Sequence, residues 1–187
     1  DREEKDQFSQ HTNSLAILTG LATAAETNQI ANQLITNNQL APASIYFKYY
    51  LHQALIKAGK GNDYLKWLDK WRENIQMGMT TWAETSNIDN TRSDCHAWGS
   101  SPNIEFYRTI LGIDSDGIGF SKVKIQPHLG ELTGIEGSMP HPKGSVSASY
   151  KLENGKWKIQ INSPVSGSLV WKGKTVPLKV GVNQFSM

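Results

Sequence analysis

The strongest constraint in this sequence is a change of hydrophobic period part-way along the chain. In residues 12–112, apolar side chains recur at spacings of three and four, which is typical of amphipathic helices. From Phe120 onward they alternate with polar side chains, which is typical of half-buried antiparallel strands. Helices followed by strands indicate an α+β chain of two parts. We predict a helical domain over residues 1–114 and a β-sandwich domain over residues 115–187.

The helical part is predicted to contain five helices, because Gly, Asn and Pro interrupt the apolar stripes. Leu15 and Leu18 lie on the stripe of the first helix, and a second stripe follows a Glu-Thr-Asn break. The last three helices are expected over residues 43–58, 62–78 and 101–111.

The second part is predicted to be an all-antiparallel β-sandwich of roughly seven strands. Turn chemistry separates the alternating segments at residues 153–155, 166–167 and 172–174. Trp157 alternates with isoleucines and is expected to point into the core. Trp171 precedes a turn, so packing is favoured for it over exposure as a ligand platform.

Composition excludes several classes of protein. The 187 residues carry a formal charge of +2, and Cys95 is the single cysteine, so neither a disulfide framework nor a Cys/His metal site is expected. The longest apolar runs fall far short of the ~20 residues that span a bilayer. The excess of 9 basic over 4 acidic residues in 115–187 lies on alternating polar positions. We therefore predict no cofactor, no metal, no membrane association and no nucleic-acid partner.

One segment, residues 79–99, has the composition of a functional site. It joins the fourth and fifth helices, has no amphipathic period, and is too aromatic for a disordered linker. Glu84 follows Trp82 and suits a general base, although Arg92 or backbone amides could equally satisfy its carboxylate. His96 suits a ligand contact, but a structural role is favoured from sequence alone.

The other polar and aromatic residues of this segment also have two interpretations each. Asp94 could orient the imidazole of His96 or cap the following helix, and Arg92 could clamp a carboxylate of the protein. Trp82 and Trp98 could stack on a sugar ring or fill the core.

The motifs of this segment resemble a known family. Together with their continuation they are similar to the signature of bacterial α-L-rhamnosidases of glycoside hydrolase family 78, and the resemblance covers nearly the whole chain. The residues on which it depends are Thr80-Thr-Trp-Ala-Glu84, Arg92-Ser-Asp-Cys-His-Ala-Trp98, Ser101-Pro102, Val123-Lys-Ile-Gln-Pro127 and Gly137-Ser-Met-Pro140.

The resemblance implies a fold and a reaction. Residues 1–114 would be the last helices of a six-hairpin (α/α)6 barrel, and residues 115–187 the C-terminal β-sandwich. The reaction would be inverting hydrolysis of terminal α-L-rhamnosyl linkages, for which one carboxyl protonates the leaving oxygen and a second activates water.

Glu84 matches the general base and His96 a rhamnose contact. Ala83 departs from the many relatives that place Trp directly before this Glu. The remaining substrate-binding candidates are Trp82, Trp98, Asp94 and Arg92.

The resemblance also implies that the general acid lies upstream, in a part of the enzyme that these residues do not contain. The chain opens with Asp-Arg-Glu-Glu and no Met, which we interpret as the start of a fragment. A complete six-hairpin barrel has about twelve helices, of which only about half are predicted here. We therefore expect the isolated chain to be inactive and to self-associate through uncovered apolar stripes. Its partners would be the rest of the enzyme and a rhamnosylated oligosaccharide or glycoside.

Two alternative functions stay open from the sequence. One is a non-catalytic carbohydrate-binding or scaffold module that uses Trp157 or Trp171. The other is a different (α/α)6 hydrolase, or a lyase acting on uronate glycans, in which Arg92 binds a carboxylate. The compartment is open between cytoplasmic and periplasmic or secreted, with periplasmic favoured.

Overall fold

The computed structural model describes residues 7–187, which divide into two compact units meeting in sequence at Pro102 and Asn103. Five α-helices lie within the described residues: α1 (Gln10–Thr19), α2 (Ala24–Thr36), α3 (Lys48–Leu55), α4 (Asp69–Gln76) and α5 (Ser101–Glu105). No helix among them is both long and apolar enough to cross a membrane.

The first unit is built on α1, which packs against α2 and α3. Both early helices begin at a side-chain cap. Ser9 accepts a hydrogen bond from the Thr12 amide at 3.2 Å, and Thr23 forms a reciprocal capping box with Glu26. These caps satisfy amide groups that a helix start leaves without partners. The buried core between the helices contains Ile17, Ala31, Leu34, Ala43, Leu51, Ala54 and Leu55.

The third and fourth helices are less regular than their apolar spacing predicts. After α3 the chain makes a π-helical turn over Ile56–Lys60, where Gly59 adopts a left-handed φ of 82°. A 3₁₀ segment over Gly61–Trp67 then precedes α4. Because Gly tolerates positive φ without a steric penalty, Gly59 allows this change of direction.

The second unit is a β-sandwich. Its strands are β1 (Ile113–Ser115), β2 (Val123–Ile125), β3 (Gly134–His141), β4 (Gly144–Glu153), β5 (Lys156–Ser163), β6 (Gly167–Trp171), β7 (Lys174–Leu178) and β8 (Gly181–Ser186). In Asn103–Met187 they form two four-stranded sheets, with the orders β1-β2-β6-β7 and β3-β4-β5-β8. Inward-facing residues of both sheets share one core, and the alternating residues around Val146, Ile159 and Leu169 are buried as predicted.

Two tight hairpins confirm the predicted turn chemistry. Asn154 and Gly155 have φ values of 51° and 75°, and Lys172 and Gly173 have values of 46° and 80°. Two successive residues at positive φ form the type I′ turn that matches the twist of paired strands.

One feature of the sandwich corrects the prediction. The sandwich is not all-antiparallel, because β2 and β6 pair in parallel, with Val123 opposite Gly167. Three strands of the other sheet separate β2 from β6 in sequence, so the connection is long enough to return in the same direction. Gly167, which the sequence placed in a turn, is the first residue of β6.

Replacing Gly167 by Ala is expected to lower the free energy of unfolding of the sandwich by about 1–3 kcal/mol. A Cβ atom there would lie 1.8 Å from the carbonyl oxygen of Val123, so the parallel pairing has to shift. Urea denaturation measures the loss. The matched control is Gly134→Ala in β3, where the nearest atom would be at 3.5 Å. Equal midpoints for the two variants would contradict the prediction.

The division between the units lies upstream of the predicted boundary after residue 114. Leu111 and Ile113 are buried in the sandwich core, and the hydroxyl of Tyr150 donates a hydrogen bond to the Leu111 carbonyl at 2.8 Å. Helical periodicity continues to this point, because α5 leads into a π-helical turn over Phe106–Ile110. Periodicity alone therefore assigns these residues to the helical part, whereas their contacts assign them to the sandwich.

Candidate functional site

The predicted site segment, residues 79–99, is a loop that two backbone hydrogen bonds close between its early and late parts. The Glu84 amide donates to the Ser93 carbonyl at 2.8 Å, and the His96 amide donates to the Trp82 carbonyl at 2.7 Å. The Thr81 hydroxyl also donates to the Asp94 carbonyl. This pairing, which we call the clasp, fixes Glu84 and His96 on neighbouring backbone segments despite the absence of regular secondary structure.

The clasp is anchored to the helical core through Gly99. The indole Nε1 of Trp71 donates a buried hydrogen bond to the Gly99 carbonyl at 2.6 Å. A Cβ atom at Gly99 would lie 2.8 Å from the Cβ of Trp82, so glycine permits the close approach of that side chain. The Trp82 side chain is half-buried, with its Cβ beside Gly99.

Glu84 forms a bidentate ion pair with Arg92. The Arg92 Nε donates to one carboxylate oxygen at 3.2 Å, and its Nη2 donates to the other. The Glu84 side chain is 16% exposed, whereas that of Arg92 is 85% exposed. The hydrogen bonds and positive charge of Arg92 hold the pKa of the Glu84 carboxyl below its usual value, against the opposing effect of desolvation, and His96 adds a smaller lowering. Glu84 is therefore an ionised carboxylate at neutral pH.

His96 lies in a small aromatic group with Tyr46 and Trp98. The Tyr46 ring centroid is 5.7 Å from that of His96 and 5.1 Å from that of Trp98. Trp98 is 54% exposed, so much of its side chain remains available to a ligand. The Nε2 of His96 is buried and has no hydrogen-bond partner among residues 7–187. A ligand hydroxyl at that nitrogen would supply the missing partner.

Asp94 is exposed, and its backbone carbonyl rather than its carboxylate takes part in the clasp. The 3₁₀ turn Ala97–Ser100 that follows has His96 at its N-cap position without a side-chain cap. The capping alternative for Asp94 is therefore not realised at this turn.

Tyr46 is the residue of this site that the sequence analysis missed. It lies just before α3, well upstream of the loop, and its only signal was a place on an apolar stripe. The spacing of apolar residues predicts contacts within one helix or strand. It could not predict that the Tyr46 ring packs against His96 and Trp98, which are about fifty residues away in sequence.

The two tryptophans of the binding-module alternative are packed in the sandwich. Trp171 is 9% exposed; its ring stacks on Tyr150 at 6.1 Å and meets Trp157 edge-on at 5.7 Å. Trp157 is partly buried against the same core. Packing of both rings against the sandwich core does not favour their use as an open platform for sugars.

Within residues 7–187, no group of three or more His, Cys, Asp or Glu side chains is placed to hold a metal ion. The site offers an ionised Glu84 carboxylate, a His96 imidazole whose Nε2 has no hydrogen-bond partner among the described residues, and the exposed aromatic surface of Trp98. This set suits a neutral, polyhydroxylated ligand.

Comparison with known proteins shows which class of protein this chain resembles. A family model described as the bacterial alpha-L-rhamnosidase C-terminal domain matches residues 112–172. A GH78 family rhamnosidase of Bacillus sp. GL1 superposes with a TM-score of 0.79 at 28% identity, covering 88% of this chain and 19% of that one. None of the curated proteins compared matches the sequence.

Two further solved structures share the fold at lower identity. The α-L-rhamnosidase from Aspergillus terreus has a TM-score of 0.80 at 19% identity and covers 95% of this chain and 24% of its own. The Streptomyces avermitilis α-L-rhamnosidase, solved with L-rhamnose, has a TM-score of 0.79 at 18% identity and covers 95% and 21%. The chain thus spans about a quarter or less of the length of these enzymes.

The helices and the sandwich are both included in these superpositions, so the predicted fold class, a partial (α/α)6 barrel followed by a β-sandwich, is confirmed apart from the parallel β2–β6 pair. The chain is similar to the C-terminal portion of the α-L-rhamnosidases of glycoside hydrolase family 78, as its motifs predicted.

Proposed function

We propose that this chain is the C-terminal part of an inverting α-L-rhamnosidase and that Glu84 is its general base. The observation that supports this most directly is the ionised, mostly buried Glu84 carboxylate, held by the clasp in the same loop as His96 and Trp98. The match to the rhamnosidase C-terminal domain supports this reaction class.

In this reaction a Glu84 oxygen accepts a proton from water as the water oxygen attacks the anomeric carbon. The glycosidic C–O bond breaks at the same time, and a carboxylic acid protonates the departing oxygen. We assign that general acid to the part of the enzyme outside these residues, because the chain spans only 19–24% of the three rhamnosidases described above. The product is rhamnose with inverted anomeric configuration, and Glu84 gains one proton per turnover.

The sugar-binding roles in this proposal belong to His96, Trp98, Trp82 and Asp94. His96 Nε2 supplies a buried hydrogen-bonding atom that no other described residue engages, and the exposed part of Trp98 supplies an apolar surface for a rhamnosyl face. The substrates would be glycosides or oligosaccharides with a terminal α-L-rhamnosyl group. Self-association of the isolated chain remains a prediction, for which exposed Leu21, Ile75 and Met77 provide apolar surface.

The proposal is tested by comparing the isolated 187-residue chain with the intact enzyme that contains it, on an aryl α-L-rhamnoside. We expect rhamnose release from the intact enzyme alone, because we assign the general acid to the part of the enzyme outside these residues. Proton NMR of the first-formed sugar should show the β-anomer before mutarotation. Hydrolysis by the isolated chain would contradict the assignment of the acid, and an α-anomer would contradict inversion.

A further inference from the structure

The Arg92–Glu84 contact differs from the other ion pairs of the described chain in its geometry. Both oxygens of Glu84 are engaged by one guanidinium, and the carboxylate is far less exposed than the arginine. The pairs Lys66–Asp63, Lys70–Glu73 and Lys151–Glu153 have more exposed carboxylates, at 45%, 51% and 42%. The Glu105 carboxylate that pairs with Arg108 is buried, but its two oxygens are divided between Arg108 and the Thr109 hydroxyl. Exposed pairs contribute little to stability, whereas a two-point contact fixes the orientation of a carboxylate.

The backbone reinforces this geometry. Ser93, the residue after Arg92, is bonded through its carbonyl to the Glu84 amide at 2.8 Å, and that carbonyl also accepts from the Thr91 hydroxyl at 2.7 Å. Arg92 is therefore held beside Glu84 by the clasp and does not reach it from a free loop. The other titratable groups that act on this ion pair are His96, beside Glu84, and Tyr46, beside Arg92.

From this geometry we infer that Arg92 is a positioning residue for Glu84, holding the carboxylate ionised and in one orientation. The inference rests on the proposed function and deepens it. A carboxylate has about four lone-pair positions, and the two bonds from Arg92 leave one on each oxygen for a water molecule. Because its Nε and Nη2 are both directed at the carboxylate, Arg92 acts through Glu84.

The test is a carbon-detected NMR titration of the Glu84 carboxyl in the 187-residue chain. Arg92→Gln, which keeps a polar side chain and removes the charge, should raise the Glu84 pKa. Arg92→Lys should give an intermediate value, because it restores the charge without the two-point contact. Lys151→Gln is the matched control: it removes the cation of an exposed pair on the sandwich and should leave Glu84 unchanged. Thermal melts should coincide, since the Arg92 side chain is 85% exposed.

An unchanged Glu84 titration in Arg92→Gln would overturn the inference. In the intact enzyme, the same substitution should move the acid limb of the kcat profile to higher pH with little change in KM, because the ionised base is then lost at higher pH. A large rise in KM with an unmoved pH profile would instead assign Arg92 to sugar binding. A separate measurement tests the proposed function. If the intact wild-type enzyme did not hydrolyse the rhamnoside, the proposed function would be wrong whatever the Glu84 titration showed.

Discussion

Glu84→Gln in the intact enzyme is expected to lower kcat on an aryl α-L-rhamnoside by about 10³-fold, within the 10²–10⁴ range for loss of a general base. The amide has nearly the same shape as the carboxylate and can still accept a hydrogen bond from Arg92, so the loop should keep its conformation. It cannot accept a proton from the attacking water. Steady-state kinetics measures the loss, and KM should change much less than kcat because the base acts on water.

Two further variants make this result specific to Glu84. Glu153→Gln removes an exposed carboxylate that pairs with Lys151 on the sandwich, and it should retain wild-type kcat. Glu84→Ala opens space beside the anomeric carbon, so added azide, an anion that needs no deprotonation, should restore part of the turnover and give a rhamnosyl azide. If Glu84→Gln and Glu153→Gln had equal activity, Glu84 could not be the base.

The sequence predicts which residues belong to the site better than it predicts which of them contact one another. Residues 79–99 indicated Glu84, Arg92 and His96 as site residues, because charged and aromatic side chains are concentrated there without the spacing of an amphipathic helix or strand. The sequence left open whether Arg92 satisfies Glu84, since a spacing of eight residues without helix or strand has no defined geometry. The clasp closes that distance through backbone bonds, which no side-chain pattern reports.

The fold shows the same division between local and non-local information. Alternation and type I′ turns predict the hairpins β4–β5 and β6–β7, because each is specified within about twenty residues. The parallel pairing of β2 with β6 joins Val123 to Gly167, and nothing in either segment specifies the other. Gly167 gave a turn signal because the close approach that requires glycine is made by a distant strand.

Acid is expected to destabilise the helical unit through His52. This residue is 2% exposed, and its ring lies 5.4 Å from Tyr64, 5.5 Å from Trp67 and 5.7 Å from Trp71. Its Nδ1 is buried and has no hydrogen-bond partner in the part of the chain that the structure describes. Burial, with a smaller effect of nearby Lys48, lowers the pKa of His52 to about 3.

The direction of the effect follows from the two protonation equilibria. Above pH 6.5 the imidazole is neutral in both states, so His52 adds no pH dependence. Between pH 6.5 and about 3 the unfolded chain binds a proton that the folded chain excludes, so the free energy of unfolding falls as pH falls. At about 1.4 kcal/mol per pH unit, the loss by pH 4.5 is about 3 kcal/mol relative to pH 7.

Urea denaturation at pH 7.0 and 4.5, followed by the fluorescence of Trp67 and Trp71, measures this loss. His52→Phe removes the titrating group and keeps a ring in the aromatic cluster, so its unfolding free energy should decrease much less between the two pH values. His52→Leu gives the same comparison if the larger ring strains the cluster. His11→Gln is the control, because His11 is less enclosed and has a smaller effect of the same sign. If every variant lost the same stability at pH 4.5, groups other than His52 would determine the acid sensitivity of this unit.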